Sequence, residues 1–136
     1  MDRFLDFDCN PNQLSPLTLA FVGDCVYELF VREKLVCEAN RPTNKLNNVK
    51  REWVNASFQA QCAIKIGDIL TDDEADILRR GRNARTKNTP KNMSSSDYHY
   101  ATGLEALFGY LYLCGKIERL RELFYIISQN GDDGCE

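Results

Sequence analysis

The sequence predicts an all-α fold, and two observations favour it. Helix-start signals and apolar residues at helical spacing recur along the 136 residues. Alternating β-branched runs bounded by turn residues, which are typical of strands, are almost absent. Because this length suits a single core, we expect one domain over residues 1–136, with its core at about 14–129.

Five helices are expected in order along the chain. Ser15 and Pro16 are typical of an N-cap and a first helical position. Thr71 and Glu74 form a capping box that opens the third helix. Ser96 or Asp97 caps the fourth, which follows a polar loop at 82–96. The predicted helices lie at about 16–36, 44–66, 72–81 (ending near Gly81), 97–114 and 116–129 (after Gly115).

The cysteines predict an intracellular compartment. None of the six forms a CxxC pair or a Cys/His cluster of zinc-like spacing. Residues 1–10 carry three aspartates and no apolar run typical of a signal peptide. No stretch approaches the 18 or so apolar residues of a membrane span. We therefore expect reduced thiols in a cytoplasmic protein that does not contact a membrane.

Two helices place an acid in an otherwise apolar setting. The stretch LAFVGDCVYELF carries Asp24 directly after Gly23, and ATGLEALFGYLYL carries Glu105 one turn before Gly109. A helix-interior glycine costs about 1 kcal/mol relative to alanine, so these glycines suggest close helix approach as compensation. If the two helices cross there, Asp24 and Glu105 meet in a poorly solvated site.

Two carboxylates at such a crossing repel each other unless a cation lies between them. A hard divalent ion with oxygen ligands, such as Mg²⁺, fits this requirement. The alternative is that each acid caps a neighbouring helix or pairs with an arginine. Spacing alone does not decide between these interpretations.

Positive charge is concentrated in one segment. Residues 79–91 contain six cations and no acid, whereas the rest of the chain has 11 basic and 20 acidic residues, a net charge of −9. Arginine forks match phosphate geometry, and such contacts bind nucleic acid without reading its sequence. The competing interpretation is a solvated charged loop. The candidate RNA-binding residues are Arg79, Arg80, Arg82, Arg85, Lys87 and Lys91.

These motifs resemble a known family. LAFVGDCVYE and ATGLEALFGYLYL resemble the two acidic motifs of the ribonuclease III catalytic domain. RPTNKLNNV, VNASFQAQ and RRGRNARTKNTPKN resemble its short bacterial subgroup, Mini-ribonuclease III (Mini-III). The resemblance covers about residues 14–125. It implies the all-α ribonuclease III endonuclease fold, without the separate double-stranded-RNA-binding domain of full ribonuclease III.

The resemblance also implies an activity. Such enzymes are homodimers that cut double-stranded RNA with Mg²⁺, with Mn²⁺ as a substitute, and leave a 5′-phosphate and a 3′-hydroxyl. The expected substrate is precursor large-subunit (23S) ribosomal RNA. Asp24 and Glu105 match the catalytic, metal-binding acids, and Glu28 is an additional candidate ligand, directly or through water. Full ribonuclease III enzymes have acids where this chain has Ala20 and Thr102, which leaves the number of metal ions open.

Two alternative functions remain open at this stage. One is a catalytically silent RNA-binding protein of the same fold, which would be expected to lose the acidic pair that this chain keeps. The other is an all-α, Mg²⁺-dependent nucleotide pyrophosphohydrolase, whose acids typically follow ExxE-type spacings. The one comparable cluster here, at 72–76, is better explained as a helix start.

Overall fold

The all-α prediction is confirmed by a computed structural model, which describes residues 2–84 and 95–132. No strand occurs among these residues, and short 3₁₀ turns at Pro11–Gln13 and Gly67–Ile69 complete the helical architecture. The helices are α1 (Pro16–Glu38), α2 (Thr43–Val54), α3 (Ala56–Ile66), α4 (Asp72–Asn83), α5 (Ser95–Leu113) and α6 (Ile117–Asp132).

Helix α1 begins where the sequence predicts. The Ser15 hydroxyl accepts a hydrogen bond from the Thr18 backbone N–H at 3.2 Å, and Pro16 occupies the first helical position. The cap satisfies a backbone donor that the first turn leaves without a partner. The helix then continues to Glu38, slightly beyond the predicted end.

The prediction of one helix over 44–66 is wrong, because Asn55 divides it into α2 and α3. The Asn55 side-chain oxygen accepts from the Phe58 backbone N–H at 2.8 Å and so caps the start of α3. Its side-chain nitrogen donates to the Arg51 carbonyl at 2.8 Å, near the end of α2. One asparagine therefore satisfies backbone groups of both helices while its own backbone is extended.

The capping box that opens α4 is confirmed, with Thr71 and Glu74 bonded reciprocally. Gly81, however, does not end this helix, which continues to Asn83. Gly81 is buried against α5, where an added Cβ would lie 2.8 Å from the Ala106 Cβ. The glycine allows two helices to approach closely instead of terminating one of them.

Helix α5 forms the centre of the fold and packs against α1, α3, α4 and α6. Its residues from Ala101 to Leu104 and from Ala106 to Leu111 are buried, and the interruption between them is Glu105. Gly115 then adopts a φ of 74°, which favours glycine, and turns the chain into α6. Helix α6 extends to Asp132, beyond the predicted end at 129.

Aromatic packing fixes α1 over this central helix. The buried Tyr27 ring meets Phe108 edge-on, with ring centroids 5.5 Å apart. The Tyr27 hydroxyl donates to the Trp53 carbonyl at 2.7 Å and so connects α1 to the end of α2. Such pairs hold the turn of α1 that carries Asp24 in a defined position.

The five cysteines within the described residues are free thiols, as the sequence predicts, and Cys135 lies outside those residues. None of the described helices has the length and apolar character that a bilayer crossing would need. The cytoplasmic location stays a prediction.

Candidate active site

Helices α1 and α5 touch through their backbones at two glycines. A Cβ atom added to Gly23 would lie 1.6 Å from the Glu105 carbonyl oxygen. One added to Gly109 would lie 2.0 Å from the Leu19 carbonyl oxygen. Real side chains never approach so closely, so both positions require glycine, and the predicted crossing is confirmed.

The third glycine of the two motifs serves a different contact. A Cβ added to Gly103 would lie 2.7 Å from the Leu78 carbonyl oxygen, so Gly103 faces α4. Together with Gly81 it forms a second close crossing, between α4 and α5. Helix α5 is therefore held between α1 and α4 at glycine contacts on two of its sides.

The crossing brings Asp24 and Glu105 together, and their side chains are within hydrogen-bonding distance. Asp24 is exposed, whereas Glu105 is half-buried. The expectation that Asp24 would lie in a poorly solvated position is wrong, because its side chain projects from the crossing into solvent. The pair thus combines one carboxylate open to solvent with one anchored at the core.

The electrostatics of the pair are unfavourable without a cation. Burial is the largest cause that raises the pKa of Glu105; the negative charge of Asp24 and the hydrogen bond between the two side chains add to it, and the pKa reaches about 8. A hydrogen bond from Gln59 acts in the opposite direction. Two carboxylates so close disfavour a second negative charge, which is the property expected of a divalent cation site.

Gln59 is the site residue that sequence reasoning missed. It lies on α3, is only 4% exposed, and its side chain hydrogen-bonds Glu105. The available signal was the position of Gln59 in the stretch VNASFQAQ, where helical spacing places it on the same side as core residues of α3.

Glu28 lies one turn beyond Asp24 but has other partners. Arg32 binds its carboxylate at 2.7 Å, and the Lys50 ammonium lies 3.7 Å from the same oxygen. Within residues 2–84 and 95–132, no three His, Cys, Asp or Glu side chains gather into a metal-binding group. The structure therefore brings together two of the three proposed ligands.

The two departures from full ribonuclease III are both buried. Ala20 faces the core from α1. The Thr102 hydroxyl donates to the Tyr98 carbonyl at 2.9 Å, so it bonds its own helix. Neither position supplies an acid to the pair.

The structure describes three of the six candidate RNA-binding cations. Arg79 pairs with Asp76 on the exposed side of α4, and Arg80 is half-buried. The Arg82 guanidinium lies 5.1 Å from the centre of the Tyr100 ring and donates to its hydroxyl at 3.0 Å. Arg85, Lys87 and Lys91 lie outside the described residues.

Comparisons with known proteins indicate the family to which the chain belongs. The sequence profile of the Ribonuclease III domain matches residues 17–116. A Mini-ribonuclease 3 from Thermoanaerobacter sp. (strain X514) is 47% identical over 116 residues, which cover 85% of this chain and 82% of the relative. One from Symbiobacterium thermophilum is 45% identical over 114 residues, covering 84% and 88%.

A solved structure shares the fold. The crystal structure of protein FN1578 from Fusobacterium nucleatum matches with a TM-score of 0.80 and 30% sequence identity, covering 88% of this chain and 98% of that one.

The match to the Ribonuclease III domain identifies the chain as an endoribonuclease of the class that acts on double-stranded RNA. The chain belongs to the ribonuclease III family, in its Mini-ribonuclease 3 group. This relation excludes the nucleotide pyrophosphohydrolase alternative.

Proposed function

We propose that this chain is a Mg²⁺-dependent endoribonuclease that acts as a homodimer on double-stranded RNA and matures precursor large-subunit (23S) ribosomal RNA. Asp24 and Glu105 are the proposed catalytic residues and metal ligands. The observation that carries the proposal is their meeting at the α1–α5 crossing, where burial and the charge of Asp24 raise the pKa of Glu105.

The donor set fits a hard divalent ion. Both donors are carboxylates, which Mg²⁺ and Mn²⁺ prefer, and burial together with their mutual repulsion raises the pKa of Glu105. Bound there, Mg²⁺ would lower the pKa of a bound water, orient that water and screen charge on the scissile phosphate. With only two protein carboxylates as ligands, Mg²⁺ would keep several coordination positions for water and phosphate, as is usual for Mg²⁺ at phosphoryl sites.

The acidic residues of the site have different proposed roles. Asp24 is exposed and would be accessible to an RNA duplex, while Glu105 is half-buried on the central helix α5. No other residue stands out in the sequence as a separate general base. Glu28, held by Arg32 and Lys50, is proposed to contribute through water rather than directly.

A homodimer is supported by an exposed apolar stripe, Leu17, Phe21 and Leu29, which follows one side of α1. Phe21 is 82% exposed and lies one turn before Asp24, and Ile64 of α3 is also exposed. Covering such a stripe with a second copy would bury its apolar surface. The two centres related by the two-fold axis would then reach both strands of a duplex.

A direct assay tests the proposal. A long RNA duplex, the same sequence as single strand and a precursor ribosomal RNA are each incubated with protein in Mg²⁺, Mn²⁺ or EDTA. We expect double-strand cuts with 5′-phosphate and 3′-hydroxyl ends in either metal and none in EDTA. The Asp24→Asn variant is the matched negative control.

Two results would contradict it. Cleavage that persists in EDTA would overturn the metal requirement, and equal cleavage of the single strand would overturn the substrate class. If the protein cuts a generic RNA duplex but not the precursor ribosomal RNA, only the proposed physiological substrate is contradicted.

A further inference from the structure

Gln59 is one of three polar or charged side chains that are buried within the described residues. The other two have evident structural roles: Glu74 pairs with Arg119, and Thr102 bonds its own helix. The hydrogen bond of Gln59 instead crosses from α3 to Glu105. Burying an amide without a hydrogen-bond partner is destabilising, so a buried glutamine whose partner is a candidate active-site acid points to a role in that site.

The surroundings of Gln59 hold its amide still. Its neighbours on α3, including Ala60, Cys62 and Ala63, are buried, and this helix packs directly on α5. The amide is therefore fixed by the core, unlike Asp24, which reaches Glu105 from the solvent side. Glu105 thus contacts both a buried neutral side chain and an exposed carboxylate.

Chemistry assigns the direction of this hydrogen bond. An ionised carboxylate only accepts hydrogen bonds, so toward it the Gln59 amide nitrogen donates. A donor on one carboxylate oxygen restricts rotation of the carboxyl group and directs the other oxygen outward. Carboxylates that bind metals are commonly oriented in this way, and removing the orienting group typically costs about 10–100-fold in metal affinity or activity.

We propose that Gln59 is a positioning residue of the Asp24–Glu105 centre: its buried amide donates to the Glu105 carboxylate and holds it in the orientation in which the pair would bind a divalent cation. This inference rests on the proposed metal-dependent function. It assigns to α3 a part in a site whose two acids come from α1 and α5.

The Gln59→Met variant tests the proposal, because methionine keeps the length and most of the volume of glutamine but has no N–H donor. The matched control is Gln61→Met, an exposed glutamine on the same helix. Mn²⁺ affinity is measured by calorimetry without RNA. The rate of duplex cleavage is then followed against Mg²⁺ concentration and, separately, against RNA concentration.

For Gln59→Met we expect the Mn²⁺ Kd and the half-saturating Mg²⁺ concentration to rise about 10–100-fold, with the KM for RNA unchanged. Gln61→Met should match the wild type in all three. A purely structural role would lower the amount of folded protein without moving metal affinity. A folded Gln59→Met protein with a Kd within about twofold of wild type would overturn the proposal.

A second measurement applies even if Gln59→Met fails to fold. In ¹⁵N-labelled wild-type protein, the Gln59 side-chain amide should exchange slowly and shift when Mg²⁺ is added, and Glu105→Gln should abolish that shift. If the Gln59 side-chain amide signal shifts neither on Mg²⁺ addition nor in the Glu105→Gln variant, the inference is also overturned. Absence of any Mn²⁺ binding by the wild type would instead overturn the proposed function, and the inference with it.

Discussion

Gly23 lies against the backbone of Glu105 so closely that a methyl group at position 23 would be 1.6 Å from the Glu105 carbonyl oxygen. The residue before the first acid is therefore in contact with the residue that carries the second. Because no side chain separates the helices there, the approach that the glycine allows is the same approach that brings the two carboxylates together. Folding and site geometry depend on one backbone contact.

The first prediction follows from this contact. Gly23→Ala should destabilise the protein by about 3 kcal/mol or more, because the methyl group meets backbone on a packed helix and cannot be accommodated by a rotamer change. Whatever folded protein remains should bind Mn²⁺ weakly, since α1 must move away from α5. Urea unfolding and calorimetry measure the two effects.

Gly67→Ala is the control for that experiment. Gly67 has an ordinary helical φ of −55°, and nothing lies within 4 Å of an added Cβ. We expect a gain of about 0.4–1 kcal/mol from the reduced freedom of the unfolded chain. Equal stability losses at both glycines would show that the crossing is not the cause.

The second prediction concerns the acids. Asp24→Asn or Glu105→Gln should abolish cleavage while helical circular dichroism and duplex binding persist, because each removes one proposed ligand without changing side-chain size. Without metal, either variant should melt at a higher temperature than wild type, since the pair no longer repels itself. Cleavage near the wild-type rate in Mg²⁺ by either variant would refute the metal-site assignment.

Local signals along the chain predicted most of the fold. The start of α1 at Ser15–Pro16 and the capping box of α4 depend on hydrogen bonds between residues within one helical turn, so the local sequence is enough to predict them. Asn55 was missed because an apolar helical period continues through it, whereas its side chain bonds both α2 and α3. Gly81 was misassigned because a helix-ending glycine and a contact glycine look alike until the partner helix is known.

The site was predictable as a pair but not as a whole. Matching small-residue settings indicated that Asp24 and Glu105 meet, which the crossing confirms. The role of Gln59 depends on how α3 packs on α5, and its partner Glu105 lies 46 residues further along the chain, so no local pattern predicts that contact. The exposure of Asp24 likewise depends on which elements cover α1.

The third prediction concerns pH. Glu74 is buried, which acts to raise its pKa, but hydrogen bonds from Arg119 and the Thr71 backbone lower it below the usual value. A lowered folded-state pKa means that this stabilisation is present above the unfolded pKa and is lost as the pH falls through the folded pKa. Glutamine can also complete the capping box, so Glu74→Gln removes the charge of the side chain and keeps its hydrogen bond to the Thr71 backbone.

Glu74→Gln should therefore cost about 2 kcal/mol at pH 7 and much less at pH 3, measured by urea unfolding at both values. Glu118→Gln is the control, because Glu118 is 82% exposed on its side chain and its pair with Arg121 is a surface contact. That change should stay within about 0.5 kcal/mol. A pH-independent loss at position 74 would contradict the electrostatic explanation.

The fourth prediction tests the dimer. Phe21→Glu should convert a dimer of about twice 15.6 kDa into a monomer, because it introduces a charge into the exposed stripe of α1. Sedimentation at micromolar concentration measures the change. The control, Tyr125→Glu, alters a residue that is 64% exposed on α6 and should leave the dimer intact. A monomeric wild-type protein that still makes double-strand cuts would rule the dimer out.

The last prediction concerns the basic segment 79–91. If its cations contact phosphates, the affinity for duplex RNA should fall steeply with salt, with a slope of log K against log salt of roughly −0.9 per phosphate neutralised, by analogy with B-form DNA. Replacing Arg82, Arg85 and Lys87 together with alanine should reduce that slope by up to about 3 if each meets one phosphate. Because Arg82 of α4 also contacts Tyr100 of α5, part of its effect should come from the loss of that contact. Cleavage at low RNA concentration should fall strongly, and single-turnover cleavage at saturating RNA much less.

The control variant replaces three cations elsewhere in the chain, Lys45, Lys116 and Arg121, and should keep the wild-type slope. An unchanged slope in the variant that lacks Arg82, Arg85 and Lys87 would identify the segment as a solvated charged loop.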